Sequence, residues 1–445
     1  MITLIRGGWV LTMSERELPA GDVLVTDGTI EAVGVGLTAP PGAEVIDATG
    51  MLVLPGLVDT HRHTWQTPLR HLGAQWSLTD YLRRLLHDIG ARFRPEDVYA
   101  GTLLGALAAL DGGVTTLVDW SHIQDSPRTA DASVAALRDA GIRAVFAHCD
   151  RLRPHGQPRS GTHLAELRRA REELLPEDPK DGALVTLAMG AHGPDFTDIE
   201  STVTDFALAR ELGIPITTHV AVGRPGPHQR GIAAMDGAGL LGPDLTVVHA
   251  NGASADDLRR LADHGVSASI SPQIELTMPE LGASVALRRM LAAGIRPGLS
   301  VDSESVASAD LFTQMRFALA AHRTDTDNEQ EKEPPLPAIE ALRLATVDGA
   351  RTAGLADQVG TLEPGKAADL IMLRADAVGL APVRAAADAV VLAAHPGMVD
   401  TVLVAGRTVK RDGRLLADLD RARELAAATA DHVLGAGDPT LVTDR

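Results

Sequence analysis

At 445 residues the chain is longer than one compact core usually spans, so a large domain with a smaller companion is expected. Asp and Glu number 59 against 41 Lys and Arg, and the net charge of −18 excludes a nucleic-acid binder, which needs a basic face to meet phosphates. The single cysteine, Cys149, excludes an intrachain disulfide and points to a reducing compartment.

The start, MITLIRGGWVLTMSERE, lacks a basic region followed by a long apolar segment, and no stretch approaches the ~18 consecutive apolar residues of a membrane span. A soluble cytoplasmic protein acting without membrane or nucleic-acid partners is the expectation. The first fifty residues read as short strands; in DVLVTDGTIEAVG, two apolar runs meet at Asp27-Gly28, a turn that needs positive φ. The pattern returns near the other end in DTVLVAGRTVKRDGRLL, with Asp412-Gly413. Both ends together are expected to build one small β-sandwich domain, residues 1–54 and 361–445, the latter closing with a helix over DLDRARELAAATADHVLG.

Between them, residues 55–360 alternate strand and helix. Eight strand candidates, LVLPGLVDTH, VTTLVDW, RAVFAHC, ALVTLAMGA, PITTHV, LTVVHAN, VSASISP and RPGLSVDS, are separated by amphipathic stretches such as TADASVAALRDAG and SADDLRRLADHG. The fold class predicted is α/β, a (β/α)8 TIM barrel with branched aliphatics inside. The charged, Pro-rich run at 323–337 reads as a surface loop.

The strands run into His61, His63, Asp119, His148, His192, His219, His249 and Asp302. In a parallel barrel these ends share one face, where such enzymes carry their chemistry. Residues two apart on a strand point the same way, so His61 and His63 can converge on one cation. Neutral imidazole suits zinc and iron, and a catalytic metal takes about three or more protein ligands with one open position. His219 and Asp302 supply the third and fourth.

With these motifs the chain resembles the amidohydrolase superfamily, in its branch of aminohydrolases and chlorohydrolases. LVLPGLVDTHRH, THV, VVHAN, SVDS and the return GTLEPGKAADLIML carry the resemblance over nearly the whole length. It implies His61, His63, His219 and Asp302 as ligands of one divalent transition metal, zinc or alternatively iron. One ion is implied because no lysine ends TLAMGAHG, where binuclear relatives carry a carboxylated one. His249 would contact the activated water or a developing oxyanion, and Asp302 would accept the water's proton. The implied reaction is hydrolysis of a C–N bond, by deamination or amide cleavage, in a small cyclic or heteroaromatic compound. A triazine-type dechlorinase or cyclic amide hydrolase is the alternative, and an inactive ligand-binding relative is the alternative from another class. A homodimer is left open.

Substrate-facing candidates are Gln66, which resembles a ring-directed glutamine of relatives, and His192, where relatives place a substrate-binding histidine. Trp65 is either a pocket wall or a core tryptophan. Trp120 and His122 are candidate lining. Glu304 and Glu275 are either proton donors or solvated loop acids. Relatives that deaminate carry a glutamate three residues after the strand-5 histidine, and here Val222 stands in its place, with His228 as a candidate substitute. Cys149 reads as an inert small filler. His71, His87, His155, His163, His264, His322, His395 and His432 are expected at the surface.

Overall fold

The structure, a computed structural model, describes residues 1–14, 17–152, 163–176, 182–223, 230–282, 284–324 and 334–435. His155, His228 and most of the 323–337 run lie outside the described residues. Five strands open the chain: β1 (Ile2–Leu11), β2 (Glu17–Thr26), β3 (Thr29–Gly34), β4 (Glu44–Asp47) and β5 (Met51–Pro55). The barrel follows with β6 (Leu57–Arg62), β7 (Val114–His122), β8 (Arg143–Cys149) and β9 (Val185–Ala191). It continues with β10 (Ile216–Val220), β11 (Leu245–His249), β12 (Ser267–Ile270) and β13 (Gly298–Leu299). The last four, β14 (Leu370–Arg374), β15 (Val399–Val404), β16 (Arg407–Arg411) and β17 (Arg414–Leu415), return to the first sheet.

That first sheet has nine strands and draws on both chain ends, joined where β5 pairs antiparallel with β14. It curls over itself. Thr29 bridges Ala367, and a Cβ on Gly28 (φ +82) would lie 2.7 Å from the carbonyl oxygen of Ala405 in the β15–β16 turn, so glycine is required there. The two layers bury Ile5, Val25, Val53, Leu370 and Leu403 between them.

Strands β6 to β13 pair parallel in sequence order. The ring nearly closes where the main chain of Asp302, just past β13, donates to His61 O at 3.0 Å and accepts from His63 N at 2.9 Å. The first predicted strand is corrected in one respect: LVLPGLVDTH is two strands belonging to different sheets. They part at Gly56, where a Cβ would lie 1.9 Å from Thr115 Oγ1, so the chain turns where only glycine fits.

Aliphatics fill one layer of the interior, with Val58, Val118, Val145 and Ala188 buried together. The expectation of an all-aliphatic interior is not met elsewhere. Thr60 shares a hydrogen bond of 2.6 Å with Ser269, Ser269 donates to Ser300 at 3.2 Å, and Ser300 meets Ser271 at 2.7 Å, so these buried hydroxyls satisfy one another. Arg143 of β8 grips the Asp369 carboxylate at 2.9 and 3.0 Å, both buried, and so fastens the barrel to β14. The closing helix, Leu419–Leu434, packs on the barrel helix Pro95–Asp111. No helix among the described residues is long and apolar enough to cross a membrane.

Two histidines expected at the surface are buried. His163 pairs with buried Asp205 at 3.4 Å, and His322 packs inside the helix layer, where Arg288 donates to its carbonyl at 2.7 Å. A helical side chain with a partner beneath it is stabilised inward, which isolated sequence position does not reveal.

Candidate active site

Strand geometry brings the predicted residues to one point. His61 lies near the end of β6 and His63 one residue past it, and the main-chain pairing described above sets Asp302 against both. Asp302 Oδ1 lies 3.6 Å from His61 Nε2 and 3.2 Å from His63 Nε2, while Oδ2 lies 3.5 Å from His249 Nε2. His219 of β10 faces His61, Nε2 to Nε2, at 3.2 Å.

Several of these strand ends adopt backbone that L-residues avoid. His249 (φ +65), Asp302 (φ +68), Ala221 (φ +50) and Ala250 (φ +46) are left-handed, a conformation that costs about 1–3 kcal/mol each unless the surroundings enforce it. The enforcing bonds are present around the β10 turn. Asp195 accepts from Ala221 N at 2.6 Å, and Asn251 accepts from Gly223 N at 2.9 Å while donating to Leu281 O at 2.8 Å.

The hydrogen-bond logic of the cluster calls for a cation. His63 Nδ1 lies 2.7 Å from the Trp120 carbonyl, which only accepts, so Nδ1 carries a proton and Nε2 is the nitrogen turned toward the Asp302 carboxylate. Burial pulls His61 down to about 3, and burial with the neighbouring His61 holds His219 well below the ordinary range, so both are neutral. Burial opposes the charge on Asp302, but the facing imidazoles of His61 and His63 outweigh it and hold the carboxyl well below the usual range. Three imidazoles and one carboxylate converging on one point have the chemistry of a donor set for a borderline divalent ion such as zinc.

His249 is set apart by its support. Its Nδ1 meets Glu275 Oε1 at 2.9 Å, and the same oxygen accepts from Ser271 N at 2.8 Å. Burial works against protonation, yet the Glu275 bond and the Asp302 charge raise His249 above its ordinary value. Glu275 is thus a fully buried partner rather than a solvated acid. Replacing Glu275 with Gln should lower kcat about 10–100-fold with little change in fold, since a support behind a site histidine is lost; unchanged kcat by steady-state assay would contradict this.

A pocket opens above the cluster. Its polar wall is His63, Trp120, His122, His192, His219, His249, Tyr81 and Asp302. Trp120 stands edge-on to His219, with centroids 4.4 Å apart, and His122 lies against His63 at 4.1 Å. The rest is apolar. Leu78, Leu82 and Leu86 come from a segment after β6, and Phe196, Val222, Ile274, Met278 and Leu281 from loops after β9, β10 and β12.

Three proposed substrate residues stand behind this wall, not on it. Trp65 is fully buried over the helix Pro95–Asp111, where a Cβ on Gly101 would lie 2.4 Å from its carbonyl oxygen; its indole donates to His122 at 3.3 Å. Gln66 donates to Tyr81 at 2.7 Å and accepts from Ser303 at 2.6 Å, so it braces the wall. Glu304 is enclosed by Arg62 and Arg70, with Arg62 Nε at 3.1 Å, and these guanidiniums hold it below the ordinary range against the pull of burial. Arg62 also meets Asp59 at 3.2 Å, which makes a buried ion network around β6. Glu304→Ala should cost about 3–5 kcal/mol in denaturant unfolding, because Arg62 is left buried and undercompensated. A proton-donor role would instead give normal stability and lost turnover.

Of the other strand-end residues, Asp119 accepts from Thr64 Oγ1 at 2.6 Å, and His148 faces the helix layer beside Phe146. Sequence reading missed Tyr81, Leu82 and Leu86. Their signal was present: Leu78, Leu82, Leu85, Leu86 and Ile89 recur at helical spacing, after a capping box of Ser77 with Asp80.

Residues 52–409 match the profile of the Amidohydrolase family. The chain is 32% identical to a 5-methylthioadenosine/S-adenosylhomocysteine deaminase of Symbiobacterium thermophilum, over 92% of this chain and 93% of that one. Among solved structures, a zinc-bound adenosine deaminase from Xanthomonas campestris superposes with a TM-score of 0.86 at 24% identity, covering 97% of this chain and 98% of that one. A variant of the atrazine chlorohydrolase of Arthrobacter aurescens, complexed with zinc and atraton, gives 0.85 at 26% identity, covering 96% and 100%.

Proposed function

Because this chain belongs to the amidohydrolase family, we propose that it is a metal-dependent hydrolase that removes an amino or comparable leaving group from the ring of a small, apolar-substituted heteroaromatic compound. The observation that carries the proposal is the convergence of His61, His63 and His249 on Asp302, with His219 against His61, at the floor of the cavity. His61, His63, His219 and Asp302 would hold one divalent ion, zinc before iron, which supplies a water acidified toward neutral pH. Asp302 takes the proton of the attacking water at a carboxylate oxygen. His249, whose protonation Glu275 favours, would donate from Nε2 to the oxyanion that develops as the ring carbon is attacked. Trp120 O fixes the ring of His63 through Nδ1, so this tautomer is not free to change during turnover. His192 and His122 line the wall within reach of ring nitrogens of a bound heterocycle. Cys149, the chain's sole cysteine and buried, supports a cytoplasmic setting.

Val222 favours one refinement. It lines the cavity where relatives that deaminate carry a carboxylic acid, and it packs with Leu281 and Met278. General-acid help is worth roughly 10²–10⁴-fold, so its loss favours a leaving group that departs without a proton. A halide meets that need, which makes dechlorination the second reading. Val222→Glu should impair the native reaction about tenfold or more, because it desolvates a carboxylate in an apolar wall.

A panel of heterocyclic amines, cyclic amides and halogenated azines, scored for ammonia, ring opening or halide, tests the proposal. Turnover is expected on alkyl-substituted amino- or halo-azines, with weak rates on cytosine, guanine and adenosine. A kcat/KM near the diffusional ceiling of about 10⁸ M⁻¹s⁻¹ on any common nucleobase, with Val222 intact, would overturn the refinement.

A further inference from the structure

We propose that Cys149, Asp150 and His192 form a second and softer cation site in the cavity wall, and that filling it inhibits the enzyme. Cys149 ends β8, Asp150 follows it, and His192 follows β9. The two strands pair in register, His148 opposite Met189, so their ends emerge side by side. Gly190 makes the room: a Cβ there would lie 2.9 Å from the Cys149 Cβ. From sequence alone Cys149 has no chemical partner; in the fold it has two.

All three side chains are buried, at 0%, 1% and 5% exposure, and their ligand atoms lie within 4.8 Å of one another. His192 Nε2 stands 3.3 Å from Asp150 Oδ1 and 3.7 Å from Cys149 Sγ. A tetrahedral zinc ion has bonds of about 2.3 Å to sulfur and about 2.0–2.1 Å to nitrogen or oxygen, which set S···N near 3.6 Å and N···O near 3.3 Å. The observed spacings match before any ion is bound. The sulfur also lies 4.0 Å from Nδ1, so the ring turns slightly about its Cβ–Cγ bond to aim Nε2 at the shared ion.

Chemistry separates this site from the first. The first set has three imidazoles and one carboxylate, whereas this one adds a sulfur and so prefers softer ions, cadmium and zinc over magnesium or calcium. On binding, the Cys149 thiol proton leaves to solvent, and thiolate with carboxylate neutralise the dication. His192 also lines the cavity, so an ion that holds its Nε2 withdraws it from a bound ring. The inhibition, unlike the binding, rests on the cavity being the substrate pocket.

Titrating the purified enzyme with Co²⁺ tests both parts. One equivalent beyond the resident metal is expected, with a thiolate-to-cobalt charge-transfer band in the near ultraviolet. Cys149 is the chain's sole cysteine, so the band assigns the site even if a variant fails to fold. Cys149→Ala should abolish the band, weaken the extra equivalent on the order of 100-fold, and keep the first metal and basal turnover. Excess zinc should raise KM several-fold in the wild type and leave Cys149→Ala unchanged. No extra equivalent, an extra equivalent without the band, or one bound equally by Cys149→Ala overturns the site. An unmoved KM overturns the inhibition. The band in a chain that holds no first metal, such as His61→Ala, would support this site while the functional reading stood or fell separately.

Discussion

His61→Ala or His219→Ala should yield a folded protein that retains no tightly bound metal and turns over on the order of 10⁴-fold more slowly or worse. The two imidazoles face one another at 3.2 Å, and each offers a neutral nitrogen to the same point. Removing one of ~4 ligands leaves an incomplete site, and with it goes the lowering of water's pKa from about 15.7 toward about 7. Far-ultraviolet circular dichroism should be unchanged, since both side chains sit at the open end of the barrel and not between its layers. Metal analysis after desalting and steady-state kinetics check the two halves. A variant that keeps its metal and most of its rate would show that the ion is held elsewhere.

Asp302→Asn should depress kcat on the order of 10³-fold while KM moves only a few-fold. In the proposed mechanism the carboxylate takes the water's proton as attack proceeds, which places its contribution mainly in the transition state. Asparagine is the right replacement because residue 302 is left-handed (φ +68), a conformation that Asn tolerates nearly as well as Asp and Ala does not. The main-chain bonds to His61 and His63 are thereby kept. Near-full turnover in the Asn variant would mean that a group other than residue 302 accepts the proton.

The barrel and the meeting of its strand-end residues were legible because each rests on a period. Strands buried on both faces read as apolar runs, and the two-residue spacing brings the rings of His61 and His63 within 4.6 Å although His63 lies one residue past β6. Asp302 and His219 were legible because a parallel barrel sends every strand end to one face. Gln66 and Glu304 were not, since closeness in sequence to a ligand does not say which way a side chain turns once the strand ends. Gln66 enters a short 3-10 turn and spends its amide on Tyr81 and Ser303; Glu304 is captured by two arginines from the β6 side. Arg62, set between the two histidines, is the residue whose partners decide this, and a long-range ion pair leaves no local trace in sequence. Tyr81 and the leucines around it were overlooked for a different reason. Their helical spacing is plain, but only the fold shows that the segment after β6 bends over the cavity. The buried hydroxyl chain of Thr60, Ser269 and Ser300 shows the limit of the aliphatic-interior rule in the barrel.

The central claim is that these strand ends hold a metal, and elemental analysis of the purified protein tests it most directly. Close to one zinc or iron per chain is predicted, with activity lost to a strong chelator and restored by the same metal. A protein without stoichiometric transition metal, whose activity on any substrate is indifferent to chelation, would contradict the account.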